Sequence, residues 1–142
     1  MQFDSIDENY PYSEETYCII KCALEVSHYF GSGFLESVYQ RALEIELHDA
    51  GFSIESQKNI PVSYKGHDLG APYRADIVVN DSIILELKAI SKLTKSDEKQ
   101  AVHYLKATGH SLALLLNFGN KSGLEWKRIV NTHTKSSDIL TI

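Results

Sequence analysis

The run from Tyr73 to Lys88, YRADIVVNDSIILELK, constrains the fold more than any other part of the sequence. It contains two short β-patterned segments on either side of Asn80-Asp81. Side chains alternate along a strand, so Glu86 and Lys88 point to one face of the sheet and their apolar neighbours point to the other. Two charges in so apolar a strand are costly to bury unless they pair with each other or bind a metal.

Asp76, Glu86 and Lys88 are the residue types that metal-assisted phosphodiester hydrolysis requires. Carboxylate oxygens hold a hard divalent cation, which activates water and neutralises charge on the phosphate. A lysine beside them can orient the water or stabilise the transition state. The alternative is structural, because the two acids could instead form ion pairs with Arg74 and Lys88. For Arg74, binding of phosphate and pairing with an acid are equally compatible with the sequence.

The length of the turn between these strands decides whether Asp76 joins Glu86 on one face. A two-residue turn places Asp76 opposite Leu85, so that its side chain points away from Glu86. A three-residue turn at residues 80–82, or a β-bulge, places Asp76 opposite Glu86 instead. The catalytic interpretation therefore predicts either a three-residue turn or a β-bulge, whereas the structural interpretation requires neither.

Length and composition indicate one soluble domain. The chain has 142 residues, of which 43% are hydrophobic and 23% charged, which is ordinary for a globular protein. We expect a single domain over 1–142, with a core at about 13–130 and a polar tail at 131–142. No apolar run could cross a bilayer and the N-terminus shows no signal pattern, so a cytosolic protein is expected. Cys18 and Cys22 are predicted to be small core residues.

The charges are unevenly distributed along the chain. A net charge of −5 argues against a non-specific nucleic-acid coat, yet residues 1–57 hold 11 acids and 2 bases, and residues 58–142 hold 8 acids and 12 bases. The second part includes the lysines at positions 88, 92, 95, 99 and 106. This pattern is typical either of a local positive surface near the site or of a solvated helix face.

Periodicity and turn residues predict a mixed sheet flanked by helices, in the α/β class with an α+β arrangement. Helices are expected at about 13–30 and 34–50, and a third one from Thr94 or Ser96 to about Thr108. Strands are expected at about 73–79, 82–88, 111–118 and 124–130, with one or two more in 52–69. Ser13 is the expected N-cap of the first helix.

With these residues placed, the chain resembles the PD-(D/E)XK nuclease superfamily, and most closely its small GxxExxY branch. The naming motif stands here as Gly33, Glu36 and Tyr39, within GSGFLESVY. The further matches are QKNIPVSYKG, YRADIVV, IILELKAI, QAVHYLK and LLLNFG. Each of these motifs is weak alone, but their order and spacing across nearly the whole chain are specific.

The resemblance implies a restriction-endonuclease-like core with a central mixed sheet in the order α-β-β-β-α-β. It also implies a divalent metal, Mg²⁺ or Mn²⁺, held by Asp76, Glu86 and the backbone carbonyl of Leu87. Lys88 matches the motif lysine of the family. Ser32 stands where proline is common, which affects the rigidity of the turn more than the chemistry.

Three further residues receive catalytic roles from the resemblance. Glu36 matches an additional acid that many members bring from the preceding helix, although its spacing alone favours a glutamate at the edge of an apolar stripe. Gln100 and Tyr104 match a QxxxY element of related nucleases. They lie four residues apart and share one helix face. The alternative for Tyr104 is core packing with a satisfied hydroxyl.

The sequence therefore predicts a metal-dependent nuclease-like domain that hydrolyses phosphodiester bonds of DNA or RNA through metal-activated water. The alternative is a non-catalytic module of the same fold that binds nucleic acid or protein. The chain has no obvious extra domain for substrate delivery. Activity only within a homo-oligomer or beside a protein partner therefore stays open, and no membrane partner is expected.

Overall fold

The computed structural model describes residues 12–131 and 139–141. The helices are α1 (Ser13–Phe30), α2 (Glu36–Asp49) and α3 (Lys95–Thr108). The strands are β1 (Ile54–Ile60), β2 (Ser63–Tyr64), β3 (His67–Asp68), β4 (Tyr73–Val79), β5 (Ile83–Lys88), β6 (Leu112–Asn117), β7 (Glu125–Asn131) and β8 (Ile139–Thr141). Within these described residues no helix is long and apolar enough to cross a membrane.

Six strands form one mixed sheet in the order β1-β4-β5-β6-β7-β8, and β2 pairs with β3 in a separate hairpin. β5 and β6 are parallel and are joined through α3, whereas the other neighbours are antiparallel. The order from α2 through β1, β4, β5 and α3 to β6 contains the predicted α-β-β-β-α-β core. The predicted mixed sheet flanked by helices is confirmed.

Helices cover both faces of the sheet and bury a core on each. The larger core joins α1 and α2 to one face and includes Ile19, Leu43 and Leu85. The smaller core joins α3 to the other face and includes Ile84 and Leu105. All six residues of β6 are buried, which confirms the strand buried on both faces that its continuous apolar run predicts.

Several element boundaries differ from those the sequence predicts. α2 begins at Glu36 rather than near residue 34, because Leu35 is still extended at ψ 148°. Tyr12, not Ser13, occupies the N-cap of α1, and its side chain makes no capping hydrogen bond. Thr94 caps α3, where its hydroxyl accepts a hydrogen bond from the Asp97 N–H and the Asp97 carboxylate accepts one from the Thr94 N–H.

Two expectations near the ends of the chain need correction. β8 pairs with β7 inside the segment predicted to be a polar tail, because three residues are too few for a recognisable strand pattern. Cys22 is buried as predicted, but Cys18 is exposed, since only part of the α1 circumference faces the sheet. Both cysteines are free thiols.

The loop after β5 is held by polar side chains at the end of β6. Asn117 is fully buried, and its Oδ1 accepts a hydrogen bond from the Ile90 N–H at 3.0 Å. Its amide donates to Glu125 Oε1 at 3.0 Å, and that same oxygen accepts the Leu93 N–H at 3.0 Å. The chain that leaves β5 is therefore fixed to the neighbouring strands before α3 begins.

Tyr39 ties the α1–α2 turn to the sheet. Its buried ring stacks on Phe118 with centroids 4.8 Å apart and planes 11° apart. Its hydroxyl donates to the Gly31 carbonyl at 2.6 Å and accepts the Phe34 N–H at 3.1 Å. Gly31 and Gly33 have φ values of 69° and 107°, which favour glycine. One hydroxyl thus closes the turn that leads into α2.

Replacing Tyr39 by Phe should destabilise the protein by about 1–3 kcal/mol, because both backbone partners lose their hydrogen bond while the ring stacking remains. Urea unfolding monitored by circular dichroism measures this change. Tyr29→Phe is the matched control, since Tyr29 is 83% exposed. Equal stability of the two variants would contradict the role assigned to the hydroxyl.

Candidate active site

The β4–β5 hairpin has a three-residue turn. Val79 pairs with Ile83, and the Ser82 N–H donates to the Val79 carbonyl at 3.0 Å. Asn80 and Asp81 adopt positive φ values of 51° and 56°. This register, continued along the strands, places residue 76 opposite residue 86. The three-residue turn, one of the two features that the catalytic interpretation predicts, is confirmed.

β4 and β5 separate immediately beyond the hairpin. Their pairing extends from Val79 back to Ile77, which lies opposite Leu85. Leu87 then donates its N–H to the Asp76 side chain, Oδ2, at 2.8 Å. The N–H and C=O of one residue in an extended strand point to the same side, so the Leu87 carbonyl also faces the gap. The gap thus brings together a carboxylate and a backbone oxygen.

Glu86 points to the α3 side of the sheet from the strand next to this gap. Its Oε1 is buried and has no hydrogen-bond partner. Burial and, after it, the nearby Asp76 raise the pKa of Glu86 to about 8, although Lys88 and a hydrogen bond from the Asp76 backbone oppose the shift. A buried carboxyl oxygen without a protein partner, beside a second acid, makes Glu86 a candidate functional group.

Asp76 and Glu36 share this electrostatic environment. Burial raises the pKa of Asp76, whereas the Leu87 N–H and then Lys88 lower it. Glu36 begins α2, and its pKa is raised by partial burial and then by Asp76. Both Asp76 and Glu36 also raise the pKa of Glu86. The three acids are therefore close enough to interact, as α2 and the sheet bring them to one region.

The oxygen donors at the gap fit a hard divalent cation. Asp76 and Glu86 offer carboxylate oxygens, and Leu87 offers a carbonyl, which is the donor type that Mg²⁺ and Mn²⁺ prefer. Across residues 12–131, no three Asp, Glu, His or Cys side chains approach closely enough to hold one ion. Glu36 consequently does not complete a three-carboxylate site. A site of two carboxylates leaves several positions for water, as is usual for Mg²⁺.

A cleft of about 230 Å³ lies beside this gap, between the sheet and α3. The polar side chains that line it are Arg74, Glu86, Lys88, Asp97, Gln100 and Tyr104. The Tyr104 hydroxyl is buried and has no hydrogen-bond partner. Burial and then Glu86 raise the pKa of that hydroxyl, which keeps it a proton donor. The cleft thus combines two cations, two carboxyl groups and two neutral donors.

A model of the PD-(D/E)XK nuclease superfamily matches residues 13–129. The chain belongs to this superfamily. No curated protein and no solved structure matches the chain. The match covers strands β4 and β5 and all three helices, which carry Asp76, Glu86, Lys88, Glu36, Gln100 and Tyr104.

The lysine-rich surface of this PD-(D/E)XK domain does not coincide with the cleft. Lys95 and Lys99 line a separate surface on α3, whereas Gln100 and Tyr104 line the cleft. With about 100° per residue, these two pairs lie on well-separated faces of the helix. Of the lysines from 88 to 106, Lys88 is the one that lines the cleft. The α3 lysines therefore fit the solvated-face alternative.

The structural ion-pair alternative receives no support from the described residues. The ion pairs in residues 12–131 are His48–Asp49, Lys58–Glu55 and Lys58–Asp81. None of them joins Glu86 to Lys88 or Asp76 to Arg74. The two cations lower the pKa of Asp76 through space without a direct contact.

Two glutamines without a role in the sequence analysis contact Asp76. Gln40 donates its amide to the Asp76 backbone carbonyl at 3.1 Å. Gln57 lies opposite Asp76 in the β1–β4 register, and its side chain lowers the pKa of the Asp76 carboxyl group. Their positions in the sequence could have indicated a role at the site. Gln40 directly follows the tyrosine of the GxxExxY motif, and Gln57 begins the QKNIPVSYKG match.

The metal-free protein should lose stability as the pH rises from about 5 to 8. The folded state retains the Glu86 proton to about pH 8, above the ordinary pKa of 4.5, so it binds more protons than the unfolded state in this interval. Rising pH therefore favours unfolding. Glu86→Gln removes this loss and should be more stable than the wild type at pH 8 by about 1–3 kcal/mol.

Urea unfolding in EDTA at a series of pH values measures this dependence. Glu25→Gln is the matched control, because Glu25 is an exposed acid on α1, and it should follow the wild-type curve. An identical decline in the wild type and in Glu86→Gln would show that Glu86 is not the responsible group.

Proposed function

We propose that this protein is a divalent-metal-dependent nuclease of the GxxExxY branch, which hydrolyses phosphodiester bonds in DNA or RNA. The observation that carries the proposal is the separation of β4 and β5 at Asp76. There the Asp76 carboxylate binds the Leu87 N–H at 2.8 Å, and Glu86 presents a buried oxygen without a partner. Membership of the PD-(D/E)XK superfamily supports a nuclease-like function.

Asp76, Glu86 and the Leu87 carbonyl would hold Mg²⁺ or Mn²⁺. When bound, the ion supplies Lewis acidity at the phosphate and a water of lowered pKa. The chain supplies the negative charge that retains the ion, because Asp76 and Glu86 ionise together once a cation offsets their mutual repulsion. The pKa of Glu86, which Asp76 raises, supports this coupling.

Lys88 would act on the nucleophile. It shares the strand face of Glu86 and lines the cleft, so its ammonium group can orient the attacking water or stabilise charge on the phosphate. Glu36 would bind an outer-shell water or a second ion from the start of α2. Burial and then Asp76 raise its pKa, and Lys88 opposes that shift.

Gln100, Tyr104 and Arg74 would contact the substrate within the cleft. The Tyr104 hydroxyl has no partner and stays protonated, so it can donate to a phosphate oxygen or to water. The Gln100 amide lies one helical turn earlier and lines the same cleft. Arg74 offers a planar cation suited to phosphate. These contacts address the sugar-phosphate backbone and carry no sequence information.

A non-catalytic binding module of the same fold is the second candidate. It is favoured by the absence of a three-ligand cluster among the described residues. A raised Glu86 pKa of about 8 also leaves that acid largely protonated at neutral pH until a cation binds. Such a module would bind metal weakly and cut no substrate.

The cytosolic compartment, and assembly with a second copy or a protein partner, remain predictions from the sequence. Nucleic acid is the partner that the cleft chemistry supports.

Purified protein with Mg²⁺ or Mn²⁺ should cut at least one of four substrates, single- and double-stranded DNA and RNA, and EDTA should stop the reaction. Asp76→Ala should lose cleavage because it removes a metal ligand. Lys88→Ala should lower the rate by about 100-fold or more, because it removes a transition-state contact. Gel assays of labelled substrates measure these rates.

Lys99→Ala is the matched control for Lys88→Ala, since Lys99 lies on the other surface of α3, and its rate should equal that of the wild type. Wild-type cleavage by Lys88→Ala would overturn the role of Lys88. A metal-dependent rise in melting temperature without cleavage of any substrate would support the binding module instead.

A further inference from the structure

The regular alternation of both β1 and β4 is interrupted at one point. In β4, Ala75 contacts the α3-side core, whereas Ile77 contacts the core under α1 and α2. In β1, Ile54 packs against the α1–α2 side and Ile60 against the α3 side. Residues two or six positions apart share a face in a regular strand. In both strands, the alternation of side chains between the two faces of the sheet is therefore shifted by one residue between these positions.

Gln57 and Asp76 lie at this interruption, which we call the strand kink. The β1–β4 register places Ser56 opposite Ile77 and Lys58 opposite Ala75, so the two kink residues face each other. Gln57 has a φ of 51°, in the left-handed region that side chains other than glycine adopt at a cost. Such strain persists where surrounding contacts enforce it, and it clusters at functional sites.

A buried glutamine of α2 enforces the kink. Gln40 is 8% exposed, and its Nε2 donates to the Asp76 carbonyl at 3.1 Å and to Glu44 Oε2 at 3.0 Å. Its Oε1 accepts the Gln57 amide at 2.9 Å. Gln40 therefore contacts both kink residues, and every polar atom of its side chain is satisfied. A fully satisfied buried network fixes one geometry.

The Asp76 carboxylate is consequently held from two sides. The Leu87 N–H donates to Oδ2 at 2.8 Å. On the other side, the Gln57 side chain, anchored to Gln40 Oε1 at 2.9 Å, lies opposite Asp76 in the β1–β4 register and lowers the pKa of the carboxylate. These contacts limit rotation of the carboxylate, so its remaining lone pairs keep a constant direction. In metal sites, partners that hydrogen-bond a ligating carboxylate orient it and set metal affinity.

We infer that Gln57 and Gln40 are positioning residues that aim the Asp76 carboxylate at the cation. This inference rests on the proposed function, because it assigns the network to the same metal site. Gln57 is the residue that acts directly on the carboxylate, and Gln40 maintains the backbone conformation that brings Gln57 within reach.

Gln57→Gly separates positioning from structural support. Glycine adopts a φ of 51° without strain, which offsets part of the cost of losing the hydrogen bond to Gln40, so the metal-free variant should stay folded with a melting temperature close to that of the wild type. The variant lacks the amide that holds Asp76, so Mn²⁺ alone should bind about 10- to 100-fold more weakly at one fixed pH. Isothermal titration calorimetry with MnCl₂ measures the affinity. A purely structural role predicts unchanged affinity.

Two further variants complete the test. In Gln57→Asn, the new residue tolerates a positive φ, but its side chain is too short to reach Asp76 as Gln57 does. This variant should bind Mn²⁺ as weakly as Gln57→Gly, and it replaces the glycine variant if that variant fails to fold. Ser56→Ala is the matched control, because Ser56 donates to Glu44 at 2.8 Å without touching Asp76, and it should retain wild-type affinity.

The outcomes distinguish the inference from the function on which it rests. Mn²⁺ binding by the wild type that is unchanged in Gln57→Gly and in Gln57→Asn would overturn the positioning role alone. Absence of Mn²⁺ binding by the wild type would overturn the proposed metal site and the positioning role together. Equal weakening in Ser56→Ala would also overturn the role, because it would trace the effect to strand β1 as a whole.

Discussion

The hydrogen bond from the Leu87 N–H to Asp76 Oδ2 is the interaction on which the rest of the site depends. A side-chain oxygen takes the position that a backbone carbonyl of β4 would occupy in a continued ladder. The same bond therefore opens the sheet, turns the Leu87 carbonyl towards the opening and anchors one carboxylate there. Had the ladder continued, both backbone groups would be satisfied and the opening would be closed.

The site concentrates polar groups that the fold leaves unsatisfied. Glu86 Oε1 and the Tyr104 hydroxyl are buried without partners, and burial raises the pKa values of Asp76 and Glu86. Each such group costs free energy in the metal-free protein. Two apolar cores, one on each face of the sheet, offset this cost. The arrangement is unfavourable locally, and the cation of the proposed function would offset that cost by neutralising the two carboxylates.

The sequence could predict those features of the site that depend on residues close together in the chain. Alternation along β5 is a property of neighbouring residues, so the shared face of Glu86 and Lys88 followed from the pattern. The sequence left the length of the turn open, and the pairing of Val79 with Ile83 decided it. The contacts of Gln40 could not follow, because they join it to residues 17 and 36 positions away, and a positive φ at Gln57 has no signature in the sequence. The direction of the α3 lysines was equally inaccessible, since periodicity groups residues on a face but packing decides where the face points.

Tyr39 and Phe118 link the two ends of the site, the start of α2 and the end of β5. The Phe118 N–H donates to the Lys88 carbonyl at 2.9 Å, while its ring stacks on Tyr39, whose hydroxyl closes the turn just before Glu36. The start of α2 and the end of β5 are thus coupled through one aromatic stack. The relative position of the Glu36 and Lys88 backbones therefore depends on the packing of one tyrosine against one phenylalanine.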